Sequence, residues 1–261
     1  MTATLDIRRP SPHVAEVWLN RPEVRNAFNE GVITELTAAF ATFGTDTDLR
    51  AIVLGGHGKA FCAGADLGWM REMAGYDWEQ NHADAQVLAD MLWAVYRCPV
   101  PVVGRIHGDC YAGGVGLAAV CDVLVATRGI NFCLSEARLG LLPATISPYV
   151  VRAMGEQAAR RYFVTAERFS SEQAHDMGFV HELCAADALD AKVDEVVATL
   201  VANGPMAVRA CKRLVQDLAG VPITPALREE PARRIADIRA SAEGREGVQS
   251  FLQKRPPSWR T

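Results

Sequence analysis

Hydrophobic residues in the first fifty positions follow two different spacings. Residues 4–9 and 13–19 alternate apolar and polar side chains, which predicts two strands joined at Ser11-Pro12. Asn29 then precedes a segment with one apolar helical face, so we interpret it as the N-cap of a helix that ends at Gly44. The residues on that face are Val32, Ile33, Leu36, Ala39, Phe40 and Phe43.

The middle of the chain alternates short apolar runs with longer segments. Residues 51–54 form a continuous apolar run, which is typical of a strand buried on both faces of a parallel sheet. The predicted elements are strand 51–54, helix 78–97 before Cys98-Pro99, strand 101–106, a glycine-rich helix from Gly113 to near Cys121 and Asp122, and strand 123–126. Because strands and helices alternate, we predict an α/β fold with right-handed crossovers between stacked strands.

Helical patterns predominate beyond about residue 145. The predicted helices cover 156–165, 187–203, 205–218 and a last segment that starts at Thr224-Pro225. Ser170 and Gln173 form a capping box for a short helix that ends at Gly178. Pro231 is expected to kink or restart the last helix. We therefore divide the chain into an α/β core over residues 1–200 and a helical region over residues 201–261.

The amino-acid composition limits the class of protein but does not indicate which reaction it could catalyse. The 261 residues carry a net charge of -4, and this mild acidity disfavours nucleic acid as a partner. The seven cysteines contain no CxxC pair and are expected to be reduced thiols. With no apolar N-terminal leader and no apolar run near the roughly 18 residues of a membrane span, we expect a cytoplasmic protein without a membrane partner.

Three stretches could carry chemistry, and each has a structural alternative. Residues 61–67 are either a turn with exposed N–H donors or a plain strand-to-helix turn capped by Asp66. Residues 112–116 open a helix with glycines, which either expose N–H groups at its positive end or let the helix pack closely. In residues 132–140, Glu136 is either an acid/base with a raised pKa or a carboxylate paired with Arg138 or Arg128.

Other reaction classes have weaker support. Gly114, Gly116 and Ala119 fit the dinucleotide pattern G-x-G-x-x-A, but residues 108–112 separate them from the preceding strand. The histidines lack zinc-binding spacing, so no metal site is predicted. The chain also lacks a G-x-S-x-G nucleophile elbow and a phosphate-binding P-loop.

Taken in order, the motifs resemble those of the crotonase (enoyl-CoA hydratase/isomerase) family. They are LNRPEVRNAF at 19–28, AIVLGGHGKAFCAGADL at 51–67, PVVGRIHGDCYAGGVGLAAVCDV at 101–123, FCLSEARLGLLP at 132–143, AERFSSEQAHDMGFV at 166–180 and FLQKRPPSW at 251–259. The resemblance implies a spiral of ββα units with a C-terminal helical region that serves oligomerisation and contacts coenzyme A. It also implies a homotrimer or a dimer of trimers.

The resemblance further implies an acyl-CoA thioester substrate and no separate cofactor, because coenzyme A is part of that substrate. The backbone N–H groups of Ala65 and Gly113 are expected to hold the thioester carbonyl, with Glu136 as acid/base. The residues expected to contact coenzyme A are Arg25, Ala63, Gly64, Asp66, Leu67, Phe251 and Lys254, the last two partly from a neighbouring subunit.

One position departs from the family pattern. Family hydratases carry two glutamates, and the position of the first is Gly116 here. With Glu136 alone, three readings stay open: a hydratase, a Δ3,Δ2-enoyl-CoA isomerase, or an acyl-CoA-binding paralogue without hydration activity. A nicotinamide dehydrogenase is a fourth, set apart by cofactor binding.

A narrower resemblance favours hydration. The segments GGVGLAAVCD and ATISPYVVRAMGEQAARRYFVTAERF are similar to those of bacterial methylglutaconyl-CoA hydratases of leucine degradation. This similarity implies a branched or carboxylated acyl chain. Tyr149 or Ser147 would then lie near the acyl pocket beside Gly116, or Pro148 simply begins a helix.

Overall fold

Across residues 3–260, which the computed structural model describes, ten strands form two sheets. The strands are β1 (Leu5–Ser11), β2 (Val14–Leu19), β3 (Ala51–Gly56), β4 (Ala60–Cys62), β5 (Val102–Ile106), β6 (Asp109–Tyr111), β7 (Val123–Thr127), β8 (Asn131–Cys133), β9 (Arg168–Ser170) and β10 (Glu182–Cys184). The large sheet has the order β1-β2-β3-β5-β7-β10, and the small sheet has the order β4-β6-β8-β9.

Helices follow the strands and dominate the C-terminal part. They are α1 (Glu30–Thr45), α2 (Leu67–Met73), α3 (Trp78–Arg97), α4 (Gly113–Ala119), α5 (Ser147–Met154), α6 (Glu156–Thr165), α7 (Ser171–Asp176), α8 (Leu189–Ala202), α9 (Pro205–Leu218), α10 (Pro225–Ala240) and α11 (Ala242–Leu252). No helix within residues 3–260 is long and apolar enough to cross a membrane.

From β3 to β8, consecutive strands alternate between the two sheets. β3, β5 and β7 join the large sheet, and β4, β6 and β8, which follow them directly, join the small one. Pairing is parallel along each of these sets, whereas β1 with β2 and β8 with β9 are antiparallel. This arrangement of ββα units confirms the predicted α/β fold.

The apolar strands of the large sheet are buried on both faces. Val53, Val103 and Val125 face α8 in one apolar cluster, while Ile52 and Leu54 point into the main core on the other side. Alternation along each strand sends successive side chains to opposite layers. Each fully buried valine or leucine stabilises the fold by about 1.5–3 kcal/mol, so the strands must be apolar throughout.

Several predicted boundaries agree with the structure and others do not. Helices α3, α6 and α9 have the predicted limits, and the capping box of Ser170 and Gln173 is present. The prediction that Gly44 ends α1 is wrong, because the helix continues to Thr45. A β-carbon on Gly44 would lie 3.6 Å from the ring of Pro99, so this glycine serves packing.

Other differences between the predicted and observed elements concern a few residues or very short strands. Helix α4 ends at Ala119, two residues before Cys121, and α10 runs continuously through Pro231 without restarting. Strands β4, β6, β8, β9 and β10 have three residues each, too few to show an apolar periodicity.

The C-terminal helices are tied to the core by polar contacts. Lys212 of α9 is 7% exposed and its Nζ lies 2.7 Å from Oδ2 of Asp122, which also accepts the Val102 N–H. Arg50, which lies just before β3, donates to the carbonyl of Trp259 near the C-terminus at 2.7 Å. The division of the chain near residue 200 stays a prediction.

Candidate active site

The three candidate stretches follow three neighbouring strands of the small sheet. β4, β6 and β8 are parallel and adjacent, so their carboxyl ends lie at one edge. The segments that leave this edge contain Ala65, Gly113 and Glu136 respectively. Ligand sites of parallel sheets form beyond the carboxyl ends of the strands. The topology therefore brings together three stretches that are far apart in sequence.

The amide of Ala65 is directed away from its neighbouring segment. Phe28 forms a parallel bridge with Ala65, donating to the Gly64 carbonyl at 2.7 Å and accepting the Asp66 N–H at 2.8 Å. In such a bridge the facing residue keeps its own N–H and C=O pointing to the opposite side. Within residues 3–260 the Ala65 N–H has no acceptor, so it is free to bind a ligand oxygen.

Gly113 supplies a second free amide. It is the first residue of α4, and its N–H also lacks an acceptor in the described part of the chain. A β-carbon on Gly64 would lie 3.6 Å from the Gly113 nitrogen, and Gly64 has a φ of +87° that favours glycine. The Ala63–Asp66 loop and the start of α4 are thus in contact, which makes a two-donor oxyanion site sterically feasible.

Glu136 carries the strongest sign of function. It opens a 3-10 turn after β8 and is half-buried, yet its buried Oε2 atom has no hydrogen-bond partner among residues 3–260. Burial raises the pKa of this carboxyl, only partly offset by a hydrogen bond from its own backbone. The alternative pairing with Arg138 does not form, since Arg138 donates instead to the Ala166 carbonyl at 2.5 Å. An unpaired buried carboxyl of this kind is suited to proton transfer.

Gly116 has its side-chain space filled by another residue. A β-carbon there would lie 2.6 Å from Cβ of Ile146 and closer still to its Cγ2. Ile146 is 2% exposed and precedes α5. No carboxylate could be accommodated at position 116 beside this isoleucine. Gly114 packs against a different residue, because its β-carbon would lie 2.7 Å from the Cys62 carbonyl. Gly114 and Gly116 therefore allow α4 to pack closely against its neighbours.

The loop residues predicted to contact coenzyme A have different surroundings. Arg25 is exposed, and its carbonyl accepts the Ala63 N–H at 3.0 Å. Leu67 is 69% exposed at the start of α2. Asp66 caps that helix through the Gly68 N–H and pairs with Arg21 at 3.0 Å. Although burial raises the pKa of Asp66, these hydrogen bonds outweigh it and lower the pKa overall. Asp66 thus has a structural use, as its capping alternative anticipated.

Four further predicted residues make no hydrogen bond or ion pair with this edge in the described part of the chain, and their roles stay predictions. Phe251 and Lys254 are exposed at the end of α11, and no hydrogen bond or ion pair in the described residues joins them to the Ala63–Leu67 loop or Glu136. The rings of Tyr149 and Tyr96 are tilted by 55° with centroids 5.2 Å apart, and Tyr149 lines a cavity beside the C-terminal end of α4. Ser147 donates to the Ala144 carbonyl at 2.8 Å. Pro148 lies in the first turn of α5, in agreement with the helix-start alternative.

Sequence reasoning missed Asn26, Phe28 and Ile146. Asn26 is 1% exposed, and its side chain bonds to the backbone next to the Ala63–Asp66 loop. The available signal was Asn26 directly before the apolar Ala27 and Phe28 in the NRPEVRNAF motif. An asparagine that is buried with such neighbours needs hydrogen-bond partners for its side chain. Ile146 carried no signal in the sequence, because its contact with Gly116 spans thirty residues. No cluster of residues suited to a metal ion occurs in the described ranges.

The buried cysteines contribute no reactive group. Burial raises the pKa of Cys62 to about 12 and also raises the pKa of Cys110. Both thiols are therefore neutral at physiological pH. All seven cysteines are free thiols in the described part of the chain. Glu136 remains the ionisable group of this edge with an unpaired buried atom.

Known proteins are similar to this chain in fold and in sequence. Residues 10–261 match the model of the family described as enoyl-CoA hydratase/isomerase. The chain is 36% identical over 242 residues to the enoyl-CoA hydratase ACTT6 of Alternaria alternata, covering 90% of this chain and 77% of that relative. It is 30% identical over 245 residues to the 2,3-dehydroadipyl-CoA hydratase of Escherichia coli, covering 93% of both chains. The crystal structure of an enoyl-CoA hydratase from Shewanella pealeana aligns with a TM-score of 0.94 at 39% identity, covering 98% of this chain and 96% of that one. The family that the sequence motifs suggested is confirmed: this chain belongs to the enoyl-CoA hydratase/isomerase family of enzymes.

Proposed function

We propose that the protein hydrates a 2-enoyl-CoA thioester, with Glu136 as the only catalytic carboxyl. The observation that carries this proposal is the buried, unpartnered Oε2 of Glu136 at the sheet edge that also presents the free amides of Ala65 and Gly113. Each of these groups lacks a partner within residues 3–260. A thioester carbonyl and a water molecule would satisfy all of them.

The proposed reaction moves one proton in two steps. Glu136, as carboxylate, takes a proton from water while the water oxygen bonds to C3 of the enoyl chain. The negative charge moves to the thioester oxygen, where the Ala65 and Gly113 N–H groups donate hydrogen bonds. Glu136 then returns the proton to C2, so that one water is added and the carboxylate is regenerated.

The two amides account for much of the expected rate enhancement. Donors that are already oriented toward a developing oxyanion are each worth roughly 3–4 kcal/mol in comparable sites. Gly113 also lies at the first turn of α4, where the helix dipole favours negative charge. Both donors belong to the backbone, so side-chain substitution cannot remove them without moving the loop.

We further propose an acyl chain that is branched or carries a second carboxylate, such as 3-methylglutaconyl-CoA, with a place in leucine degradation. The similarity of residues 113–122 and 144–169 to methylglutaconyl-CoA hydratases supports this substrate. One relative is a 2,3-dehydroadipyl-CoA hydratase, and that name is compatible with a chain of this type. We also propose a trimer or dimer of trimers, in which Phe251 and Lys254 contact the coenzyme A bound by a neighbouring copy.

A second candidate is Δ3,Δ2-enoyl-CoA isomerisation. The filled space at Gly116 favours it, because moving a proton between C4 and C2 requires one base and no water. The two reactions use the same Glu136 and the same amides. They differ in whether solvent oxygen enters the product.

One assay distinguishes these functions. The purified protein is incubated with crotonyl-CoA, 3-methylglutaconyl-CoA and a 3-enoyl-CoA, and the enoyl absorbance and products are followed. Hydration predicts loss of the enoyl absorbance and a 3-hydroxyacyl-CoA product. Conversion of the 3-enoyl-CoA without any hydroxy product would establish the isomerase instead. If none of the three thioesters is converted, both the hydratase and the isomerase proposals fail, and a protein that binds acyl-CoA without catalysing a reaction remains.

A further inference from the structure

We propose that Asn26 is a positioning residue that sets the direction of the Ala65 N–H through a short strut formed by residues 25–28. The inference rests on the proposed function, because it assumes that this amide binds the thioester oxygen. Asn26 itself touches neither substrate nor the reacting atoms in this account. It acts on the loop that carries one of the two donors.

The side chain of Asn26 joins the strut to the turn between β3 and β4. Its Nδ2 donates to the carbonyls of His57 at 2.8 Å, Ala60 at 2.9 Å and Phe61 at 3.2 Å. Its Oδ1 accepts the Arg21 N–H at 3.0 Å, and its own N–H donates to the Arg21 carbonyl at 2.9 Å. Both ends of the amide are therefore used at a site that is 1% exposed. No hydrophobic residue of similar size could replace these bonds.

The backbone conformation at position 26 favours an asparagine. Arg25 and Asn26 have φ values of 54° and 56°, in the left-handed region that few non-glycine residues adopt. Asparagine is among the residues that tolerate this conformation best. The turn lets the Arg25 carbonyl accept the Ala63 N–H at 3.0 Å, just before the loop begins. The Asn26 side chain thus holds the left-handed backbone in place. That backbone in turn places the Arg25 carbonyl where it accepts the Ala63 N–H at the start of the Ala63–Asp66 loop.

Phe28 carries the constraint to both candidate donors. Its backbone bonds to Gly64 and Asp66, on either side of Ala65. Its ring lies below α4, where a β-carbon on Gly113 would come within 3.0 Å of it. A single residue therefore contacts the loop of the first donor through its backbone and the second donor through its ring. The spacing between the two N–H groups depends on where this strut lies.

Small displacements of this strut should affect catalysis more than binding. Groups that stabilise an oxyanion must be held within about 0.5 Å of their working position. Misplacement by about 1 Å can lower a rate by about 100-fold. The coenzyme A moiety, in contrast, is expected to contact exposed residues outside the strut, such as Leu67, Phe251 and Lys254. Loss of the Asn26 bonds should therefore lower kcat while changing KM little.

The test uses Asn26→Ala and Asn26→Asp in the full-length protein, with Thr127→Val as the matched control. Thr127 is 2% exposed and donates one hydrogen bond to the His107 carbonyl, away from the loop. Aspartate keeps the volume and the Oδ1 acceptor of Asn26 and loses its NH2 donors, so it remains informative if the alanine variant does not fold. Circular dichroism and thermal unfolding establish which variants are folded.

Two readouts separate positioning from loss of structure and from failure of the proposed function. Steady-state kinetics on the 2-enoyl-CoA should show kcat lowered roughly 10- to 100-fold, with KM within about 3-fold of wild type. The infrared band of the thioester carbonyl of a bound saturated acyl-CoA, which needs no turnover, should shift less to low frequency than in wild type. Thr127→Val should keep both values.

The outcomes are distinct. A folded Asn26 variant with wild-type kcat and an unchanged carbonyl shift would overturn the positioning role. A wild-type protein that binds acyl-CoA with no carbonyl shift would instead overturn the proposed use of the two amides, and the positioning role with it. A smaller shift together with lower kcat in the Asn26 variants supports the inference.

Discussion

The packing of Ile146 against Gly116 makes a quantitative prediction about the site. Gly116→Ala adds a methyl group 2.6 Å from Cβ of Ile146, where ordinary carbon contacts are about 3.5–4.0 Å apart, so the neighbouring helices must move by about 1 Å. Overpacking of this kind costs about 1–3 kcal/mol of unfolding free energy. Ile146→Ala, at a position 2% exposed, should cost about 2–5 kcal/mol through the cavity that it leaves.

Combining the two substitutions should recover part of the loss. In Gly116→Ala/Ile146→Ala, the closest contact of the new methyl group, with Cγ2 of Ile146, is removed while the contact with Cβ remains, so the double variant should be more stable than the sum of the single effects by about 1 kcal/mol. Urea unfolding at constant pH, monitored by circular dichroism, measures all four proteins. The slope of the transition must stay unchanged for the comparison to hold.

A neighbouring glycine provides the control. A methyl group on Gly114 would meet the backbone carbonyl of Cys62 at 2.7 Å, and removing the Ile146 side chain cannot relieve that contact. Gly114→Ala and Ile146→Ala should therefore add within about 0.5 kcal/mol. Additivity of Gly116→Ala with Ile146→Ala as well would refute the conclusion that Ile146 excludes a side chain from position 116.

Three further predictions concern single groups. Glu136→Gln should raise the free energy of unfolding by about 1 kcal/mol at pH 7 because it removes an unpaired buried carboxylate; since burial raises the pKa of Glu136 in the folded state above 4.5, the gain should fade as the pH falls through that raised pKa and be lost below 4.5, and a Tm that is lower than wild type at pH 7 would contradict this. The acid limb of kcat/KM should have its midpoint above 4.5, because Glu136 must be ionised to accept a proton from water, and a limb at or below 4.5 would disprove its raised pKa. Lys212→Met should lower the free energy of unfolding by about 3 kcal/mol, measured in urea, because it leaves Asp122 without its partner at 2.7 Å; Arg213→Met on the exposed face of α9 is the control and should change stability by less than about 1 kcal/mol.

The fold could be predicted well where a segment is long and its periodicity is strong. Helix α3 and helix α9 have the predicted limits because their apolar faces extend over several turns. The three-residue strands were missed, and with them the second sheet. Those strands depend on pairing between distant segments, such as Cys62 with Cys110, which local periodicity does not contain.

The sequence allowed the residues of the candidate site to be predicted, but not the neighbouring residues that determine their surroundings. Ala65, Gly113 and Glu136 were selected from motifs, and the parallel order of β4, β6 and β8 brings their segments to one edge. Whether Glu136 is paired or free depends on the position of Arg138, which only the fold determines. The space at Gly116 likewise depends on Ile146, because a glycine in a sequence does not reveal what fills the volume beside it.

The most direct test of the account compares wild type with Glu136→Gln on a 2-enoyl-CoA in water enriched in 18O. The variant keeps the size of the side chain, and thermal unfolding checks that it is folded. Wild type should consume the enoyl absorbance and incorporate one solvent oxygen into a 3-hydroxyacyl-CoA, and the variant should lose this activity by at least about 100-fold. Undiminished oxygen incorporation by a folded Glu136→Gln protein would contradict the assignment of Glu136 as the single catalytic carboxyl.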